Sequence, residues 1–183
     1  MNRRNAVLAL ALTAALGLGS AARAADDNTV YLDTKDGRVT IELRPEIAPK
    51  HAQQLKTLIN QGFYNGLKFH RVMDGFMAQT GDPNGNGTGG SSLPNIPAEF
   101  TAAPFKRGTV GMARSSDPNS ANSQFFICLG DASFLNGQYT VVGTVTSGMD
   151  VVDKIKKAAP GAPGGAVQNP DKIVKMQMAA KAK

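Results

Sequence analysis

Phe69-His70-Arg71-Val72-Met73-Asp74-Gly75-Phe76-Met77-Ala78-Gln79-Thr80-Gly81-Asp82 decides how the chain is read. Asp-Gly between two apolar runs is a strong hairpin signal, so two short strands are expected around Asp74-Gly75. One arm carries Arg71 alone among apolar residues. The other carries Phe76, Met77 and Gln79. A strand that faces only a core has no use for an arginine. A concave apolar surface that must hold a polar group of a ligand does. The competing reading is an ordinary arginine on an exposed edge strand. A two-residue turn pairs Met73 with Phe76, which places Arg71, Met73, Phe76 and Ala78 on one face. A bulge in the second arm would shift that register and bring Met77 and Gln79 round instead.

Working outward, Thr29 to Leu43 reads as a second hairpin. Val30, Leu32, Val39, Ile41 and Leu43 alternate with polar residues around an Asp36-Gly37 turn. Pro45 ends it. Ile47 to Gln61 is amphipathic at helical spacing through Ala48, Ala52, Leu55, Leu58 and Ile59, with Pro49 in the first turn and Gly62 past the end. Thr109 to Ala113, Ser123 to Leu129 and Tyr139 to Val145 read as strands, the last after an Asn136-Gly137 turn. Ser147 is placed to cap a second helix through Met149, Val152 and Ile155. Pro160 to Pro170 is a Pro/Gly-rich link, and Lys172 to Met178 fits a closing strand. Many short strands with two helices imply a mostly antiparallel sheet, and closing it into a barrel would remove exposed edges. There is no internal repeat and no domain boundary.

Gly81 to Lys106 is long and irregular, which in a compact domain marks a functional or mobile loop. It spells G-x-G-x-x-G from Gly85 to Gly90, but Ser91-Ser92-Leu93-Pro94 follows instead of a helix. No βαβ unit surrounds it, so dinucleotide binding is not supported. Without Gly-Lys-Ser/Thr it is no phosphate-binding P-loop either. Asn86-Gly87-Thr88 matches a glycosylation acceptor, which matters only in a host that glycosylates it.

Residues 1–24 read as a signal peptide. Arg3 and Arg4 precede an apolar run from Val7 to Leu18 that is too short to span a bilayer, and Ala22-Arg23-Ala24 fits the cleavage rule. Residues 25–183 then form one domain. No cysteine near the cleavage point supports a lipid anchor, so no membrane attachment is expected after cleavage. Losing Arg3, Arg4 and Arg23 and no acid lowers the formal charge from +6 to +3, too small an excess to argue for nucleic acid. The single cysteine, Cys128, cannot form an intramolecular disulfide and reads as a buried thiol. Two histidines, His51 and His70, without a cysteine cluster support no zinc site, and no cofactor is expected.

Three blocks then stand together: Phe69-His70-Arg71-Val72 through Gln79-Thr80-Gly81-Asp82, Gly108 to Ala113, and Ser123-Gln124-Phe125-Phe126-Ile127. Together they resemble the cyclophilin family of peptidyl-prolyl cis-trans isomerases, over nearly the whole of residues 25–183. The resemblance implies a mostly β fold: an eight-stranded antiparallel closed barrel capped by two α-helices. The short loop after Ala113 and the export-type N-terminus look like the bacterial periplasmic branch, so a periplasmic monomer acting on exported chains is expected. The family's catalytic arginine falls on Arg71, with Gln79 beside it. Its substrate-binding positions fall on His70, Phe76, Met77, Ala113, Arg114, Gln124, Phe126, Phe134, Leu135 and Tyr139. Phe134 stands where the best-known eukaryotic pattern has tryptophan, and Tyr139 where it has histidine. Weak cyclosporin binding follows, because phenylalanine lacks the indole donor.

The chemistry fits the residue types. Turning an X–Pro bond meets a barrier of ~18–20 kcal/mol from the partly double C–N bond. No bond breaks, so a nucleophile is not required. An apolar slot can hold the proline ring, while a fixed cation hydrogen-bonds its carbonyl or nitrogen and favours the unconjugated amide. Taken singly, Phe125, Phe126, Met77 and Leu135 also fit an ordinary core, and Gln79 and Gln124 fit solvent-facing sheet positions. The alternative class is a barrel that binds proline-containing segments as a chaperone module without significant catalysis. It would keep the pocket and lose the arginine.

Overall fold

The computed structural model describes residues 27–182. The expected signal peptide, residues 1–24, lies outside them. Eight strands follow in order: β1 (Thr29–Thr34), β2 (Gly37–Leu43), β3 (Arg71–Met73), β4 (Met77–Thr80), β5 (Thr109–Met112), β6 (Phe125–Cys128), β7 (Val141–Ser147) and β8 (Lys175–Met178). Helix α1 (Pro49–Asn60) links β2 to β3, and α2 (Met149–Lys154) follows β7. The strands form one sheet in the order β3-β4-β6-β5-β7-β2-β1-β8, every neighbouring pair antiparallel.

The expected closed barrel is not what the ladders form. The sheet is a half-barrel with β3 and β8 as its two edges. Before these strands, the chains 66–69 and 171–173 exchange scattered backbone bonds and one isolated bridge, Lys68↔Lys172. Pro170 cannot donate to a ladder and Asn169 sits at φ 51°, so no regular strand forms in which a closing ladder could run.

Alternation along β1 and β2 buries Val30, Leu32, Val39, Ile41 and Leu43 on one face. There they meet His51, Ala52, Leu55, Leu58 and Ile59 of α1 in one continuous core with Tyr64, Phe69 and Phe125. Truncating Leu55, 1% exposed, would cost about 2–5 kcal/mol. Helix α1 lacks a capping side chain of its own, because Ala48 stands at its N-cap. Glu99 supplies the cap from the long loop: its carboxylate accepts the N–H groups of Lys50 and His51, each at 3.1 Å. That satisfies two otherwise orphaned donors and opposes the helix dipole.

Two turns differ from expectation. β1 and β2 pair through Thr34↔Gly37, so Lys35-Asp36 form the turn and Gly37 belongs to the ladder. Ser147 closes β7 and caps nothing. Gly148, at φ 89°, takes the N-cap of α2, a left-handed backbone that serine would adopt only with strain.

Candidate active site

Register places the site. β3 and β4 pair through Met73↔Met77 and Arg71↔Gln79, not through Met73 and Phe76. The turn explains the shift. Phe76 N–H donates to the Met73 carbonyl across Asp74-Gly75, and only Gly75 (φ 69°) is left-handed there. A hairpin-matched type I′ turn needs positive φ at both central residues. Without it the arms splay, Phe76 falls out of the ladder, and the second arm moves on by one. The same-face set becomes Arg71, Met73, Met77 and Gln79. Pairing then carries the row across the sheet: Gln79 lies opposite Phe126 on β6, and Phe126 opposite Gly111 on β5. A cation, an amide, a ring and a bare backbone stand side by side on one face.

Gly111 is what makes room for the ring. A Cβ there would lie 2.5 Å from the Phe126 ring and 2.6 Å from that of Phe105. Phe105 stacks on Phe126 at 5.8 Å, and Tyr139 meets it edge-on at 6.1 Å. Met77, Phe126 and Leu135 are buried together, with Phe76, Ala113 and Tyr139 packed against them. Phe134 is 62% exposed at the rim, its ring 5.3 Å from that of Phe76. Arg114 covers the far side, its guanidinium 4.5 Å over the Tyr139 ring and bonded to the Gln138 carbonyl. These residues, with His70, Arg71 and Gln79, line one open cleft of about 690 Å³.

Arg71 is half-buried and held on three sides. Its Nε–H donates to the Gly164 carbonyl at 2.8 Å, and one Nη1–H to Gln79 Oε1 at 3.1 Å. The remaining contacts are to thioether sulfurs, Met77 Sδ at 3.9 Å and Met73 Sδ at 3.3 Å. Sulfur is a weak acceptor, so those N–H groups are aimed and still available to an oxygen. Gln79 in turn donates to Gln124 Oε1 at 2.9 Å, and Gln124 Nε2 donates to the carbonyls of Gly89 and Gly87. A polar relay therefore runs from the guanidinium to the glycine loop and fixes both amides.

His70 is 6% exposed, and neither ring nitrogen has a hydrogen-bond partner among the described residues. Burial holds its imidazole below the ordinary histidine range, so it is neutral at neutral pH. Cys128 is fully buried, and burial pushes its thiol up to about 12, which leaves it protonated and inert. Among the described residues no cluster of three or more His, Cys, Asp or Glu side chains is placed to hold a metal ion.

The structure brings His70, Arg71, Phe76, Met77, Gln79, Ala113, Arg114, Phe126, Phe134, Leu135 and Tyr139 to the cleft. Gln124 stands one position aside, lining a neighbouring hollow of about 480 Å³ and reaching the cleft through Gln79. Sequence reasoning missed two walls, one formed by Pro163, Gly164, Ala166 and Val167 of the Pro/Gly-rich segment and one by Gly85, Asn86 and Gly87 of the glycine loop. It also missed Phe105 beneath Phe126. The long loop is pinned down rather than slack: Asp82 is 1% exposed and accepts the N–H groups of Asn84, Asn86 and Gly87. Burial would raise that carboxyl, but those three donors outweigh it and hold it below the usual range.

A half-barrel whose sheet face carries an arginine-flanked apolar cleft defines a cyclophilin-like protein. Comparison with known proteins makes the assignment specific. The pattern described as cyclophilin type peptidyl-prolyl cis-trans isomerase/CLD matches residues 29–178. A Brucella suis protein named probable peptidyl-prolyl cis-trans isomerase is 58% identical over 98% of both chains. An Acinetobacter baylyi peptidyl-prolyl cis-trans isomerase is 39% identical over 88% of this chain and 91% of that one. Among solved structures, cyclophilin AquaCyp293 from Hirschia baltica superposes with a TM-score of 0.76 at 28% identity, covering 86% of this chain and 76% of that one. A cyclophilin-type isomerase of Cryptosporidium parvum, crystallised in the presence of the dipeptide Ala-Pro, gives 0.74 at 27%, covering 82% and 98%. The chain belongs to the cyclophilin-type peptidyl-prolyl cis-trans isomerase family, and it is an isomerase of X–Pro bonds.

Proposed function

We propose that this isomerase acts on exported, partly folded polypeptides in the periplasm, as a monomer, with Arg71 as its catalytic residue and Gln79 as the group that aims it. The observation that carries the catalytic assignment is the pattern of contacts at the guanidinium. Oxygen acceptors fix Nε and one Nη1–H, while the contacts of the other Nη1–H and of Nη2 are to the sulfurs of Met77 and Met73. A substrate carbonyl or a pyramidal proline nitrogen is a better acceptor than a thioether and takes those donors as the amide twists. The proline ring lies on Phe126 between Met77, Phe76 and Leu135, and the preceding residue runs along the Ala113–Arg114 backbone. Holding the ring while the carbonyl rotates favours the twisted form over both planar isomers. Reaching a millisecond from tens to hundreds of seconds requires ~10⁵-fold, or about 7 kcal/mol.

Export rests on the Arg3-Arg4 start, the Val7–Leu18 run and Ala22-Arg23-Ala24. N-terminal sequencing of protein from the periplasmic fraction should return Ala25. A start at Met1 or Asn2 in the membrane pellet would overturn it. Protease-free NMR exchange on a short X–Pro peptide, run with wild type and Arg71→Ala, tests the catalytic role.

A further inference from the structure

The geometry points to a second, cationic arm of the cleft that selects clients carrying an acidic residue two to four positions from the proline. It rests on the isomerase reading of the prolyl cleft and adds a substrate class to it. The arm is a hollow of about 570 Å³ lined by Lys68, Lys172, Asn169 and Pro170. Gly85 and Val167 line both the arm and the prolyl cleft, so the two are continuous.

Three observations make the arm electropositive by construction. Lys68 and Lys172 face each other directly in the isolated antiparallel bridge, and like charges directly opposite are unfavourable. Neither ammonium has an ion pair or hydrogen bond among the described residues. Asp171, beside Lys172, and Asp82, at the start of the adjoining glycine loop, are engaged elsewhere. Asp171 accepts the Lys156 N–H and lies 3.6 Å from the Lys35 ammonium, and Asp82 is turned into its own loop. Finally, the Lys68 side chain lies along the glycine loop toward the cleft. Its Cδ would be 2.9 Å from a Cβ at position 85, so the missing side chain of Gly85 leaves it that path. His70, two residues on, lies beside Gly87 of the same loop at ordinary contact distance, 3.8 Å from where a Cβ would stand.

The spacing fixes which client residue reaches the arm. Lys68 is three residues before Arg71, ~10 Å along an extended chain, and an extended client advances by the same ~3.3 Å per residue. A carboxylate about three residues from the proline therefore meets the two ammonium groups. It relieves their mutual repulsion and gains two exposed ion pairs, which together should raise kcat/KM about 2- to 10-fold at low salt.

The test uses Ala-Pro peptides with Glu or Gln at each of the four positions on either side of the proline, followed by NMR exchange at low and high ionic strength. A Glu/Gln preference should peak at one or two positions, shrink with salt, and reverse in the Lys68→Glu/Lys172→Glu variant. Equal rates for Glu and Gln at every position, or a preference unchanged in the variant, would overturn the arm. If no peptide turned over, the isomerase reading would fail instead. Amide shifts at Lys68 and Lys172 on titrating Glu against Gln peptides would then still decide the subsite: movement with Glu alone supports it, and equal movement refutes it.

Discussion

Replacing Arg71 with alanine separates catalysis from stability, because the structure assigns very different magnitudes to the two. On the stability side, the side chain is half-buried, and its loss removes hydrogen bonds to the Gly164 carbonyl and Gln79 Oε1. Both acceptors border an open cleft where water replaces the donor, so the cost should be about 1 kcal/mol, a fall in Tm of about 2–4 °C for a chain of this size. On the catalytic side, the role proposed for Arg71 makes this the loss of a preorganised charged donor aimed at the twisting amide. That is worth ~2.7–4 kcal/mol of barrier, or ~10²–10³ in rate. Peptide affinity should change less, since Phe126, Met77 and Leu135 remain. Arg71→Lys should also be slow. One ammonium cannot hold Gly164 and Gln79 together while keeping donors pointed into the cleft, as the planar fork does. Melting curves and NMR exchange on one X–Pro peptide read both quantities. Near-wild-type turnover in a folded Arg71→Ala protein would refute the assignment and favour a module that binds proline segments without turning them.

Three further outcomes follow from single contacts. Gly111→Ala should destabilise by at least about 1–3 kcal/mol and slow turnover as well, because a Cβ 2.5 Å from Phe126 must push the pocket floor aside; a urea midpoint and rate both equal to wild type would disprove the packing. Burial holds His51 and His70 below the ordinary imidazole value, so the unfolded chain takes up protons first as pH falls. Stability should be complete above about pH 6.5 and fall below it by at most about 1.4 kcal/mol per pH unit for each histidine, until the folded imidazoles titrate; His70→Gln should flatten the urea midpoints between pH 7 and pH 5, and an unchanged slope would clear His70. Cyclosporin inhibition should be weak and rise roughly 5- to 150-fold in Phe134→Trp, since an unmade hydrogen bond in a desolvated contact costs about 1–3 kcal/mol; equal inhibition of both proteins would exclude the donor.

What was legible in the sequence was what repeats at a fixed period or is fixed by one residue type. The β1–β2 alternation, the amphipathic run of α1 and the Asp-Gly hairpin are of that kind. So is the oddity of Arg71, a permanent cation between Phe69 and Val72. Register was not legible, because it turns on the φ of Asp74, and one step exchanges Phe76 for Met77 on the site face. Nor was the cap of α1. Glu99 is some fifty residues from Lys50 and His51, and nothing local in Ala48-Pro49 asks for it. The wall at Pro163 to Val167 was hidden for a related reason. A Pro/Gly-rich segment has no period, so its sequence says that it is irregular and not what it touches.

That wall also bears on why an open sheet suits this chemistry. A regular strand beside β3 would have spent its carbonyls on the ladder. Here the covering segment bonds to the edge only at intervals: Ala158 N–H to the Val72 carbonyl, Val167 N–H to the His70 carbonyl, and the bridge Arg71↔Ala166. Between those bonds Gly164 turns through φ 61°, outside the strand region, and its carbonyl is left to accept Arg71 Nε–H at 2.8 Å. The edge is covered, which limits unwanted pairing, and the irregular turn of the covering segment at Gly164 supplies the acceptor that fixes the guanidinium. Gly164→Ala therefore strains the backbone position in the cleft wall whose carbonyl holds Arg71, although an added Cβ there would meet nothing within 4 Å. Its effect should appear in kcat more than in KM.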